Sequence, residues 1–198
     1  MTAFTLVTPP VVEPVTLSEM KTQARVDTDA DDTLIAALIT AARQWAERFT
    51  GRAFIAQTWR LWLDVPPESR GDWWDGVREG ALASFMPAAS VVLPRPPLMS
   101  VSSVQVFGDD DVGVVWPSAH YFVDTARQPG RLALRSGAVW PVPQRAANGL
   151  MIEYVAGYGN DGAAVPEPIR LAIRQLGRTG TNDAAMTRPL RQRSCRRC

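Results

Sequence analysis

Residues 31–64 read DDTLIAALITAARQWAERFTGRAFIAQTWRLWLD. The apolar period changes inside this stretch, and the change decides the fold class. Leu34, Ile35, Leu38, Ile39, Ala42, Trp45, Ala46 and Phe49 recur at three- and four-residue steps, which places them on one face of a helix. That face predicts a helix over 31–50, ended by Gly51, a residue that accepts the left-handed conformation at a helix terminus. From Ala56 to Asp64 the period is two, and Trp59, Leu61 and Leu63 fall on one side of a strand. Trp45 and Trp59 are both expected in the core.

Toward the N-terminus, TPPVVEPVT (8–16) is extended, because each proline fixes its own φ and disfavours helix in the residue before it. Thr16-Leu17-Ser18-Glu19 then has the form of a capping box, predicting a short helix from Leu17 to Arg25. The acids of VDTDADD (26–32) complement the positive end of the following helix. They do not form a calcium loop. Counted from Asp27, the positions that need glycine and glutamate hold Asp32 and Leu38.

Downstream, short strands are predicted at 90–93, 101–107, 120–124, 131–135 and 150–155, separated by turn-forming runs such as GDDDVG and RQPG. A last helix is predicted over Pro166–Leu176, with proline in its first turn. The expected fold is α+β: an N-terminal helical pair, a central antiparallel β-sheet or small barrel of five to six short strands, then a C-terminal helix and extended tail. All of 1–198 is expected to form one domain, with a helical part (1–55), a β part (56–156) and a C-terminal helix and tail (157–198).

Composition is that of a globular protein: 198 residues, 46% hydrophobic and 21% charged. No apolar run reaches membrane-spanning length, and the N-terminus lacks the basic start of a signal peptide, so no membrane partner is expected. Cys195 and Cys198 sit in the last four residues, and His120 is the sole histidine, so no metal site is expected. Charge is uneven. Residues 177–198 hold six arginines against Asp183, a net +5, which leaves −4 on the rest of a chain whose total is +1. A basic tail on an acidic body is one route to DNA binding.

Gly157, Gly159 and Gly162 spell G-x-G-x-x-G after an apolar run, and Asp183 lies about twenty residues on, as in a dinucleotide site. The following AAVPEP cannot start a helix before Pro166, and no strand-like run precedes Asp183. A small nucleotide-binding enzyme using this loop is therefore an alternative, and no cofactor is expected. His120 has no nucleophile partner legible in sequence. The acids at Asp72, Asp75 and 109–111 lie in turn-like loops, where they usually solvate a bend. No catalytic residue is expected. Trp73, Trp74 and Trp116 fall in loops, and loop tryptophans are candidate interface residues.

Five phrases occur in order: VTPPVVEPVTLSEMKTQARVD (7–27), the stretch at 31–64, LPRPPLMSVSSVQVF (93–107), YFVDTARQPGRLAL (121–134) and IEYVAGYGNDGAAVPEPIRLAI (152–173). Together they resemble the head-tail connector, or adaptor, proteins of long-tailed bacteriophages and of phage-like gene transfer agents. The resemblance implies a structural protein, not an enzyme. It would be made in the bacterial cytoplasm and built into the particle neck. Its subunits would form a ring, typically twelve-fold, between the portal protein and a stopper or tail-terminator protein. DNA would pass through the ring without sequence-specific contact. The C-terminal segment would reach toward the portal, which adds Pro166, Ile169, Arg170, Ile173 and Arg174 to the candidate interface.

The resemblance ends near Leu176. Family members usually continue with an apolar run like His-Trp-Tyr-Glu, whereas this chain continues GRTGTNDAAMTRPLRQRSCRRC. Gly177–Asp183 can be encoded as GGT CGC ACT GGT ACG AAC GAC. Read one base earlier, the same bases give Ser-His-Trp-Tyr-Glu-Arg. A single-base frameshift, in the gene or in its record, would account for the departure.

Overall fold

The computed structural model describes residues 2–64 and 90–186, with side chains from 3 to 179. Helix α1 (Leu17–Ala24) starts on the predicted box: the Glu19 N–H donates to Thr16 Oγ1 at 3.2 Å, and the Thr16 N–H donates to Glu19 Oε2 at 2.8 Å. It stops at Arg25, in the left-handed region at φ 58°. Helix α2 (Asp32–Thr50) ends at Gly51, with φ 67°. Helix α3 runs from Glu167 to Met186, ten residues beyond the predicted end. Gly177, Thr179 and Gly180 are weak helix formers, yet α3 packs on both α1 and α2. Tertiary contact overrides propensity here. Gly177 is buried against Met20, and a Cβ at this position would collide with the methionine Cε.

Eight strands are described, against the five to six expected. A five-stranded antiparallel sheet has the order β1 (Thr2–Thr8), β2 (Gln57–Leu63), β8 (Leu150–Ala156), β4 (Leu98–Phe107), β5 (Gly113–Val115). A three-stranded antiparallel sheet has the order β3 (Ser90–Val92), β7 (Arg131–Leu134), β6 (Tyr121–Asp124). Both sheets keep free edges, so the β part is not a closed barrel. The additional strands are the ones sequence hides. β1 lies in the nominally helical part of the chain, and β5 is three residues long beside a turn-rich run. In the central pairing Gln57 faces Ala156 and Leu63 faces Leu150, while β4 shifts register against β8 at two places.

Two cores follow. Leu61, Val104, Leu150, Ile152 and Tyr154 of the large sheet pack with Val91 and Leu132 of the small one. Ile35, Ile39, Ala42 and Ala46 of α2 pack with Met20 of α1 and Ile173 of α3. Phe54 and Ile55, between α2 and β2, belong to the helical core, whereas Ala53 belongs to the sheet core. Three consecutive residues thus join the two.

Candidate assembly interface

The glycine loop is a joint between these cores. The Gly157 N–H donates to the Pro97 carbonyl at 2.9 Å and the Tyr158 N–H to the Phe54 carbonyl at 3.0 Å. Gly157 has φ +148°, and a Cβ there would lie 2.5 Å from Ala56 N and from Ile55 C. Gly162 runs beside the segment before α1, where a Cβ would sit 2.9 Å from the Glu13 carbonyl oxygen. A phosphate loop needs free amides and a helix that begins at once on a parallel sheet. Here those two amides are engaged, β8 is antiparallel to both its neighbours, and α3 begins five residues after Gly162. The loop is therefore not the dinucleotide site its glycines imitate.

A buried ionic network holds the same joint from the α2 side. Arg43 Nε lies 2.7 Å from Glu13 Oε2, and its NH1 lies 2.8 Å from Glu47 Oε2. Glu47 Oε1 accepts from the Phe54 N–H at 2.9 Å and from the Gln57 side-chain amide. Arg95 donates to the Glu47 carbonyl at 2.8 Å, and its guanidinium sits 5.5 Å from the Phe4 ring centre and 5.3 Å from that of Trp59. Buried charges persist only when paired in this way.

The expected interface residues scatter. Trp73 and Trp74, like Asp72 and Asp75, lie outside the described residues. Trp116 is half-buried, with its ring centre 5.6 Å from that of His120 at 10°, and it also meets Tyr121 and Trp140. His120 ends an exposed single turn at 118–120 rather than lying in a strand. Pro166 is exposed. Ile173, however, is fully buried in the helical core, with Ile169 packed against it. Arg170 donates Nε to the Pro14 carbonyl at 3.0 Å and pairs with Glu19 and Glu167; Arg174 pairs with the same two acids. These two arginines latch α3 onto the start of α1. The Thr16 backbone N–H, with help from Arg170, holds the Glu19 carboxyl below its ordinary range.

A ring subunit is expected to divide the apolar face of α2 between its core and a neighbour, although Trp45 is expected on the core side. The apolar positions of α2 are too many for one face, and the structure divides them. Ile35, Ile39, Ala42 and Ala46 face inward, while Trp45 is 57% and Phe49 78% exposed, their rings stacked at 5.2 Å and 5°. Trp45 is thus not a core residue. Trp59 packs against the sheet core as expected. Among the described residues no three His, Cys, Asp or Glu side chains form a metal-sized cluster, and no helix is long and apolar enough to cross a membrane.

Residues 14–70 match the model of the phage gp6-like head-tail connector protein family. No curated protein matches the chain. The fold is shared with chains of three solved assemblies. The virion of a native gene transfer agent particle holds one with TM-score 0.71 at 17% identity, covering 90% of this chain and 84% of that one. The neck of an empty gene transfer agent particle, computed with C6 symmetry, gives 0.70 at 20% identity, covering 91% and 84%. The neck of a native particle, computed with C12 symmetry, gives 0.60 at 19%, covering 90% and 83%. At such identities the likeness carries the fold. The family's pattern therefore lies in α1, α2 and β2, within a fold that also occurs in a particle neck.

Proposed function

We propose that this chain is a structural head-tail adaptor subunit of a phage or phage-like particle. It forms a ring in the neck between the portal and the stopper or tail, around the DNA channel. One observation carries this reading: the connector-family match and the fold likeness coincide. The match covers 14–70, and the likeness extends the same fold over about nine tenths of the chain. The role requires no catalysis, only surfaces and rigidity, which two cores joined by buried ion pairs supply. An acidic body would let DNA slide past through backbone electrostatics without holding it.

Deleting the gene from a particle-producing host tests the proposal. DNA-filled heads and unattached tails are expected, with joined particles restored by the gene in trans. Normal yields of joined particles without the gene would overturn it.

A further inference from the structure

Beyond the residues α2 gives to the core, a second apolar stripe runs along it. Leu34, Leu38, Ala41, Trp45, Arg48 and Phe49 follow one another at steps of four, three, four, three and one. Leu34, Trp45 and Phe49 are exposed, and Arg48 is the only charge on the stripe. An exposed apolar stripe beside a buried one is normally covered by another surface. Among the described residues nothing covers this one, and Arg48 has no ion pair there.

A second exposed apolar surface, flanked by acids where the stripe carries an arginine, lies elsewhere on the same chain. Strand β5 is an edge of the large sheet, and Val112, Val114 and Val115 on and beside it are exposed, Val114 by 65%. Asp109, Asp110 and Asp111 precede them. Asp110 caps the Val112 N–H and Asp111 pairs with Arg145, while Asp109 has no ion pair among the described residues. An uncovered apolar edge strand is a site for further association. The two surfaces do not pack on each other within one molecule: α2 packs on α1 and α3, whereas β5 packs on β4. Contact between them has to come from two copies. A closed ring needs this kind of contact, two different faces of each subunit meeting at every interface.

We propose that the Leu34–Phe49 stripe of α2 seats a second copy of this chain, by its β5 edge, with Arg48 opposite Asp109. The inference rests on the adaptor reading and adds the surface through which subunits meet. Opposite charge across the seam fixes register, and the Trp45–Phe49 stack is the kind of aromatic anchor that carries interface energy.

The test uses the full chain in particle-producing cells, with Phe49 replaced by the photo-crosslinking residue benzoylphenylalanine. Illumination of purified necks is expected to give products of two and more chain masses, with the linked peptide mapping to residues 109–115. Links to another particle protein, to residues 65–89 of the same chain, or none at all in complete necks would overturn the inference while leaving the adaptor reading intact. Absence of the chain from necks would sink that reading and the inference with it. Charge reversal provides a second arm. Arg48→Asp and Asp109→Arg are each expected to lower neck incorporation at least ~10-fold, as burial of an unpaired charge should, with recovery in the double variant. The melting temperature should not change in any of the three. Failure of the double variant to recover would also overturn the proposed pairing.

Discussion

The Glu47 carboxylate accepts the backbone N–H of Phe54 at 2.9 Å, across the turn that carries the chain from α2 into β2. One side chain closes the switch from helix to strand, and its second oxygen neutralises Arg43 in the same buried space. Glu47→Ala would leave Arg43 with Glu13 alone and orphan a buried amide. The expected loss is about 3 kcal/mol in a urea titration. An unchanged midpoint would show the network to be dispensable.

Gly51 and Gly157 both have positive φ, but they should respond differently to alanine. At Gly51 nothing lies within 4 Å of a Cβ, so only the conformational cost of about 1 kcal/mol applies. At Gly157 the Cβ would meet backbone atoms of Ile55 and Ala56 at 2.5 Å, which flexible side chains cannot relieve. Gly157→Ala is expected to cost at least ~3 kcal/mol, or to give no soluble protein. Equal effects at the two glycines would contradict the joint.

Glu19 gives the fold an acid limit. The Thr16 N–H and Arg170 stabilise its ionised form, and burial opposes them without reversing the net shift. The folded pKa lies below the ordinary value of 4.5, so the contribution is complete above that pH and disappears as pH falls through the lower folded value. Melting temperature should drop on acidification below about pH 4.5, and Glu19→Gln should flatten the drop. Parallel curves for the two proteins would assign the acid sensitivity to other carboxylates.

Nucleotides should leave the protein unmoved. A ligand present at a hundred times its dissociation constant adds about 2.7 kcal/mol to stability, which raises the melting temperature of a domain this size by about 5 °C or more. A panel of mono- and dinucleotides at millimolar concentration is expected to produce no such rise. One that did would reopen the glycine loop as a binding site.

The tail offers two measurements. Truncation should be made after Met186, because α3 continues to that residue and Gly177 packs on Met20. Removing Arg188, Arg191, Arg193, Arg196 and Arg197 is expected to lower the salt dependence of any duplex binding while preserving the melting temperature. Tight binding at physiological salt that vanishes with this deletion would favour a DNA-binding role over the adaptor. Sequencing from codon 170 should find bases compatible with Ser-His-Trp-Tyr-Glu-Arg one base out of frame. Codons that cannot encode that run would exclude a frameshift.

Local chemistry determined much of this protein from sequence alone. The Thr16–Glu19 box, the Gly51 stop and the change of period near Ala56 each depend on neighbouring residues, and each lies where the sequence puts it. The phrases resembling head-tail connectors also led to the family whose model matches 14–70. Only tertiary structure decided the rest. Whether Trp45 faces inward depends on what packs against α2, and Ile39 and Ala42 take that place while Trp45 and Phe49 stay outside. Ile173 is buried, and Arg170 and Arg174 pair with Glu19, because α3 folds back on α1. Gly157 and Gly162, two of the glycines that imitate a phosphate loop, are needed because Ile55 and Glu13, distant in sequence, pass too close for a side chain. Periodicity states how many apolar faces a helix has; what covers each face depends on long-range packing, which no local pattern encodes.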